Sequence, residues 1–394
     1  MGGDTSRSYV DTSPDIIKPM KKIALIVGTR PEVIKLAPLY LELKKSKTLK
    51  PILINTGQHL EMTAQMLKWF GIKEDYNLKL MSKNQTLADI TARVISELSK
   101  TLEKIKPDLV IVEGDTVTVM ASSIAAFYLK IPVAHVEAGL RTEDIYNPFP
   151  EEMARRLVSR IAKYHFAPTK LALENLKKEG VTKNVFMTGN TVIDALLYTK
   201  NKIKEKEIKK HFKDVDFKKK KVILVTMHRR ENLGKPHKDI AKTLVKITNT
   251  FKDTLVLLPI HKNPKVREVL LPILEKNKNI IIVEPLDYVP FIYAMNNSYL
   301  ILSDSGGVQE EAPSLNKPVL VLRTNTERPE GIKAGAAKLV GTDPERIFSE
   351  VSKLFQSKST YLKMAKTKNP YGDGDSSKKI VRILENIDTF ADQN

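Results

Sequence analysis

The chain has 394 residues, enough for two domains with separate cores, and 42% hydrophobic against 28% charged residues excludes a disordered protein. It has no cysteine, so disulfides, thiolate nucleophiles and cysteine-held metals are excluded; with no secretory pattern and no apolar run of membrane length, a cytoplasmic protein off the membrane is expected. The net charge of +19 raises nucleic acid as a partner, but only 6% of residues are aromatic and the excess concentrates in a lysine-rich stretch at 200–221, so no nucleic acid is expected.

The first twenty residues are polar, include Pro14 and Pro19, and read as a disordered leader ending at Met20. Residues 23–27 then form an apolar run that reads as a buried strand, followed by Gly28-Thr29-Arg30-Pro31-Glu32 and a helix over 31–45. Pro31 falls at the first helical position, where a missing N–H costs nothing. Free N–H groups at that helix start, beside the Arg30 cation, make a phosphate site; an ordinary strand-to-helix turn would read the same way.

Further strands are expected at 51–55, 109–113, 133–136, 165–167 and 185–187, with helices at 87–105 and 118–129. The pattern restarts after the lysine-rich interval: strands at 221–226, 255–259, 280–283, 300–303 and 319–322, and helices starting near His237, Pro264, Tyr288 and Ser305. Alternating strands and helices predict parallel α/β sheets, here two Rossmann-like domains over 21–195 and 196–374. A last helix from about 376 to 389, within 375–394, is expected to cross back onto the first domain.

Open parallel sheets bind ligands beyond the carboxyl ends of their strands. In the first half those ends carry Asp115, Glu137 and, after a Pro148-Phe149-Pro150 loop, Glu151 at the head of a helix with Arg155 and Arg156. One such acid would be an ordinary helix cap, whereas carboxylates on successive strand ends point to acid–base chemistry. In the second half, His228 and two arginines follow the strand at 221–226, and His261 follows the strand at 255–259. Ser305-Gly306-Gly307 opens a helix as a second anion cradle, and Glu311 stands where it can accept hydrogen bonds from ribose. Arg328-Pro329-Glu330 repeats the order of the opening motif. No histidine pair has metal-ligand spacing, and neither a Gly-x-Gly-x-x-Gly turn nor a Gly-Lys-Ser/Thr loop is present, so no metal and no cofactor are expected.

These segments, with Gly57-Gln58-His59, 189–194 and 369–374, resemble the non-hydrolysing UDP-N-acetylglucosamine 2-epimerases over nearly the whole chain. The resemblance implies two Rossmann-like domains facing across a cleft, as in glycosyltransferases of the B type, a homodimer, and exchange of UDP-N-acetylglucosamine with UDP-N-acetylmannosamine. Hydrolysing relatives, which release UDP and free N-acetylmannosamine, typically lack the Arg-Pro-Glu form of the first motif. The sugar C2 proton is too weakly acidic for direct removal, but departure of UDP makes C1 cation-like and acidifies it. Elimination to 2-acetamidoglucal and re-addition of UDP would then invert C2 and supply activated N-acetylmannosamine for cell-surface polysaccharide.

By resemblance, Asp115, Glu137, Glu151 and His228 are the catalytic groups. Arg30, Lys35, Arg141, Ser305, Gly306, Gly307 and Arg328 would hold substrate and its phosphates, Glu311 the ribose, and Phe291 the uracil neighbourhood. Gln58, His59, Gln85 and His261 fit an accessory site where relatives bind a second, activating UDP-N-acetylglucosamine. Glu61 and Asn84 depart from the Gln and Arg usual there, which predicts altered or absent activation. A glycosyltransferase of the same fold would bind the same donor but would consume it.

Overall fold

The computed structural model describes residues 19–390 except His59, Lys83, Glu143, Arg230, Glu231 and the side chain of Leu60. The expected leader therefore lies almost wholly outside the described residues. Strands β1 (Lys21–Val27), β2 (Leu49–Asn55), β3 (Tyr76–Asn77), β4 (Leu109–Glu113), β5 (Val133–Val136), β6 (Tyr164–Ala167) and β7 (Val185–Met187) form one sheet, in the order β3-β2-β1-β4-β5-β6-β7. A second sheet contains β8 (Lys221–Thr226), β9 (Thr254–Pro259), β10 (Ile280–Val283), β11 (Leu300–Ser303), β12 (Val319–Val321) and β13 (Ala337–Leu339), in the order β10-β9-β8-β11-β12-β13. All pairings are parallel, and the central strands are buried on both faces, which is why they read as unbroken apolar runs.

In each sheet the strand order reverses once, between β1 and β4 and between β8 and β11. Those two crevices are where ligands bind in sheets of this type. They hold the Gly28 and Gly114 turns in the first lobe, and the His228 and Asp304 turns in the second.

Local chemistry explains the elements that flank the crevices. The helix Leu87–Ile105 starts at Thr86, whose hydroxyl accepts from Asp89 N–H (3.1 Å) while Asp89 accepts from Thr86 N–H (2.9 Å), a reciprocal cap. Gly28 follows β1 because a Cβ there would lie 2.3 Å from Thr56 Oγ1. The last helix, Ser376–Glu385, is shorter than its sequence pattern, ending four residues before the expected Thr389. Its Ile380, Val381 and Leu384 are buried in the core built on β1, so the chain does return to the first lobe. Asp194 anchors that return by accepting from Ser377 N–H (2.7 Å) and Ser376 N–H (3.3 Å). No described helix is long and apolar enough to cross a membrane.

Candidate active site

The turn after β1 does not present its first amides to a ligand. Gly28 N–H and Thr29 N–H both donate to Glu32 Oε2 (2.6 and 3.1 Å), and Thr116 Oγ1 donates to Glu32 Oε1 (2.8 Å). Glu32 is 1% exposed, and burial raises its pKa against the pull of those donors. The anion that these two amides ahead of the helix bind is the chain's own carboxyl group. Arg30 is half-buried beside them, and among the described residues no ion pair holds it.

Behind this turn, on the next turn of the same helix, Lys35 enters a cluster of acids. Its Nζ lies 2.6 Å from Glu137 Oε2 and 2.9 Å from Glu113 Oε1. Glu113 is the last residue of β4 and Glu137 the first after β5, and the two strands pair in register, Glu113 opposite Val136. Glu137 has φ +63°, the only carboxylate among the described non-glycine residues with positive φ. That conformation is costly for a side-chain-bearing residue and turns it out of the sheet direction. Asn190 Nδ2 donates to Glu137 Oε1 (2.8 Å) and to Glu310 Oε2 (2.9 Å), so one amide ties the first lobe to the second. Glu310 in turn is ion-paired to Arg328 Nε.

Burial pushes Glu113 well above the usual carboxylate range, with Lys35 only partly opposing it. For Glu137 burial acts in the same sense but is outweighed by Lys35 and by a hydrogen bond from Glu113, leaving it at about 2. Lys35 and Arg328 are held charged: burial opposes both, and the surrounding glutamates win. Glu311 has no such partner; burial first, then Glu310, push it up to about 8. The cluster therefore holds carboxyls of both kinds near neutrality, Glu137 ionised and Glu311 keeping its proton, an arrangement suited to acid–base work.

Asp115 lies two residues beyond β4 and pairs with Arg155, one helical turn on from Glu151 in the helix Glu151–Ile161. That pair brings the Asp115 and Glu151 segments together at the same sheet edge as Glu137. Glu151 Oε2 is enclosed and has no hydrogen-bond partner. Arg141, expected to bind substrate, is engaged elsewhere. Its Nε and Nη2 donate to Glu179 (2.6 and 2.8 Å), Nη2 also to Ser159 (2.8 Å) and Nη1 to Leu140 O (2.7 Å). All three guanidinium nitrogens are thus engaged within the chain.

Across the seam, His228 Nδ1 lies 2.9 Å from Asp304 Oδ1, and Asp304 also accepts from the His228 and Arg229 backbone amides. Burial raises the Asp304 pKa, but His228 and these amides outweigh it, and the carboxyl is held low. A carboxylate fixing Nδ1 leaves Nε2 of a 40% exposed ring free to meet a ligand. The Ser305 N–H is taken by Ser303 Oγ (3.0 Å), so the cradle there is narrower than expected. Gly306 remains open towards Arg328: a Cβ would come within 3.9 Å of the guanidinium carbon. Phe291, half-buried, packs on the second lobe's core. Gln58 and Gln85 line one small pocket with Thr118, whose hydroxyl donates to Gln58 (2.6 Å). His261 is not in that pocket but stands beside His228, ring centroids 6.5 Å apart. His59 and the Arg230-Glu231 pair lie outside the described residues.

Glu113, Asn190, Glu310 and Asp304 were given no role from sequence. Glu113 and Asp304 shared one signal, a carboxylate at the close of a buried apolar strand. Among the described residues no group of three or more His, Asp or Glu is arranged to hold a metal ion.

Two α/β lobes meeting at a carboxylate-rich seam, with an arginine and a glycine turn on the far side, define an enzyme of glycosyltransferase-B architecture. The family model for UDP-N-acetylglucosamine 2-epimerase matches residues 41–385. A UDP-N-acetylglucosamine 2-epimerase of Escherichia coli O157:H7 is 47% identical, over 93% of this chain and 98% of that protein. A Neisseria meningitidis UDP-GlcNAc 2-epimerase, solved bound to UDP-GlcNAc, superposes with TM-score 0.84 at 47% identity, covering 93% of this chain and 100% of that one. An S. aureus protein solved with UDP gives TM-score 0.81 at 45% identity, covering 93% and 96%. The chain belongs to the UDP-N-acetylglucosamine 2-epimerase family and is an isomerase.

Proposed function

We propose that this chain reversibly interconverts UDP-N-acetylglucosamine and UDP-N-acetylmannosamine without hydrolysis, through elimination of UDP to 2-acetamidoglucal and its re-addition. In this reading the lobe of residues 21–195, closed by 375–394, supplies the acid–base groups, and residues 196–374 hold UDP. The observation that carries it is the seam, where an ionised Glu137 stands one amide from Glu310 and its partner Arg328.

Inverting C2 by elimination requires an acid–base group on each face of that carbon and a fixed charge environment for the departing diphosphate. Glu137, Asp115 and Glu151 are the candidates for C2. Arg328, Arg30 and the open Gly306 turn are the candidates for the diphosphate, with Gly307 and Ser305 beside them, and His228 donates to it or steadies it. Glu311 receives the ribose, and Lys35 acts through Glu137. Retention of UDP between the two half-reactions follows from a seam that closes over it. Homodimer assembly, a cytoplasmic location and supply of activated N-acetylmannosamine for polysaccharide complete the proposal.

Incubating the protein with UDP-N-acetylglucosamine and following products by NMR tests it. Both UDP-sugars should reach a steady ratio with no free sugar. Free N-acetylmannosamine with stoichiometric UDP would make it a hydrolysing enzyme, and donor loss only with an acceptor would make it a glycosyltransferase. Asp115→Asn should abolish turnover and leave UDP binding largely intact. Pure UDP-N-acetylmannosamine should turn over without a trace of its epimer if Glu61, exposed, and Asn84 have weakened the accessory site.

A further inference from the structure

Among the buried ionisable groups at the seam, Glu113 is one that the proposed chemistry does not use. It is 1% exposed, so it cannot touch a sugar, yet it sits against Lys35 and Glu137 at the end of β4. The cluster holds more carboxylates (Glu113, Glu137, Glu310, Glu311) than cations (Lys35, Arg328), and none of these carboxylates is more than 8% exposed. Excess negative charge in so dry a place is expensive, so protons are retained there.

Geometry decides where one of them sits. Glu137 receives a hydrogen bond from Lys35 (2.6 Å) and another from Asn190 (2.8 Å), both of which favour its charged form. Glu113 Oε1 has Lys35 at 2.9 Å but no aligned hydrogen bond. Lys35 Nζ lies within 2.9 Å of an oxygen of each carboxyl, so the two share a single cation, and the better-bonded Glu137 is the one that geometry favours as the ionised member. His135, in register with Val112 on β5, turns away to bond Gly114 O (2.7 Å) and is no competitor for the proton.

We propose that Glu113 is a positioning residue: its neutral carboxyl, donating a shared proton, works with Lys35 to hold Glu137 ionised and fixed at the seam. The raised Glu113 and lowered Glu137 pKa values agree with that division. The inference rests on the reading of Glu137 as an acid–base group for C2, and its test separates the two.

Glu113→Ala should lower kcat by about 10²-fold with KM changed by no more than about twofold. Glu113→Gln, whose amide still donates to Glu137, should recover at least about tenfold of that loss. If Glu113→Ala does not fold, Glu113→Leu takes its place in the comparison. The wild-type minus Glu113→Gln infrared difference spectrum at neutral pH should show a carboxylic-acid C=O band. Glu113→Gln as slow as Glu113→Ala, or a difference band from carboxylate alone, would overturn the proposal. A wild type that makes no epimer would defeat the functional reading instead, and the infrared result would stand apart from it.

Discussion

The tripeptide Arg-Pro-Glu occurs twice, each time at the start of a helix, and the two copies are put to opposite uses. In Arg30-Pro31-Glu32 the carboxylate turns inward and takes two backbone amides and the Thr116 hydroxyl, while the arginine is left without an ion pair among the described residues. In Arg328-Pro329-Glu330 the arginine is the engaged partner, paired with Glu310, and Glu330 reaches across the lobes to accept from Thr169 (2.7 Å). Proline lies in the first helical turn of both copies, second in the helix capped by Thr29 and first in the helix capped by Arg328. What differs is the neighbour each meets, a glycine turn in one lobe and a buried glutamate in the other. A shared local motif therefore marks a helix start, not a charge assignment.

The largest break in this comparison comes from Arg328→Ala. It strands Glu310 in the seam and should cost about 3–5 kcal/mol in denaturant unfolding, with UDP binding weakened in calorimetry as well. Glu32→Ala leaves two amides and a hydroxyl unsatisfied and should cost about 1–3 kcal/mol, with UDP affinity much less affected. Arg30→Ala should do the converse, weakening UDP by about 1.4 kcal/mol, a tenfold effect, and leaving stability within about 0.5 kcal/mol.

Glu311 sharpens the contrast through pH. Its folded pKa is raised from 4.5 to about 8, chiefly by burial, so its contribution to stability is complete below 4.5 and is lost as pH rises through 8. Across that window unfolding free energy should fall by on the order of 1 kcal/mol per pH unit from this group, and Glu311→Gln should remove that slope. Glu137 runs the other way. Its stabilisation is present above 4.5 and is lost as pH falls through about 2.

Much of this architecture is legible in the sequence because parallel strands are short apolar runs and helices carry their caps. The helix Leu87–Ile105 is bounded by Thr86 and Asp89 at its head, and its sequence pattern gives the same limits. By contrast β3 has two residues and β13 three, each paired to one neighbour at a sheet edge, too short to show a period. The strand-end acids Asp115 and Glu137 are visible as residues that interrupt turns. Glu113 is hidden because it closes the apolar run and reads as part of the strand. The Arg141 ion pair is hidden for a different reason: its partner Glu179 is 38 residues further on, and nothing local announces it. The interlobe bonds of Asn190 and Thr169 join segments more than a hundred residues apart, so only the folded chain reveals them.

The central claim is that a carboxylate at this seam removes the C2 proton of a UDP-sugar while UDP departs and returns. Incubation with UDP-N-acetylglucosamine in deuterium oxide tests it most directly. The account predicts deuterium at C2 in the UDP-N-acetylmannosamine that forms, with no net loss of UDP-sugar. Folded, active protein that yields the epimer with C2 still fully protonated would contradict it.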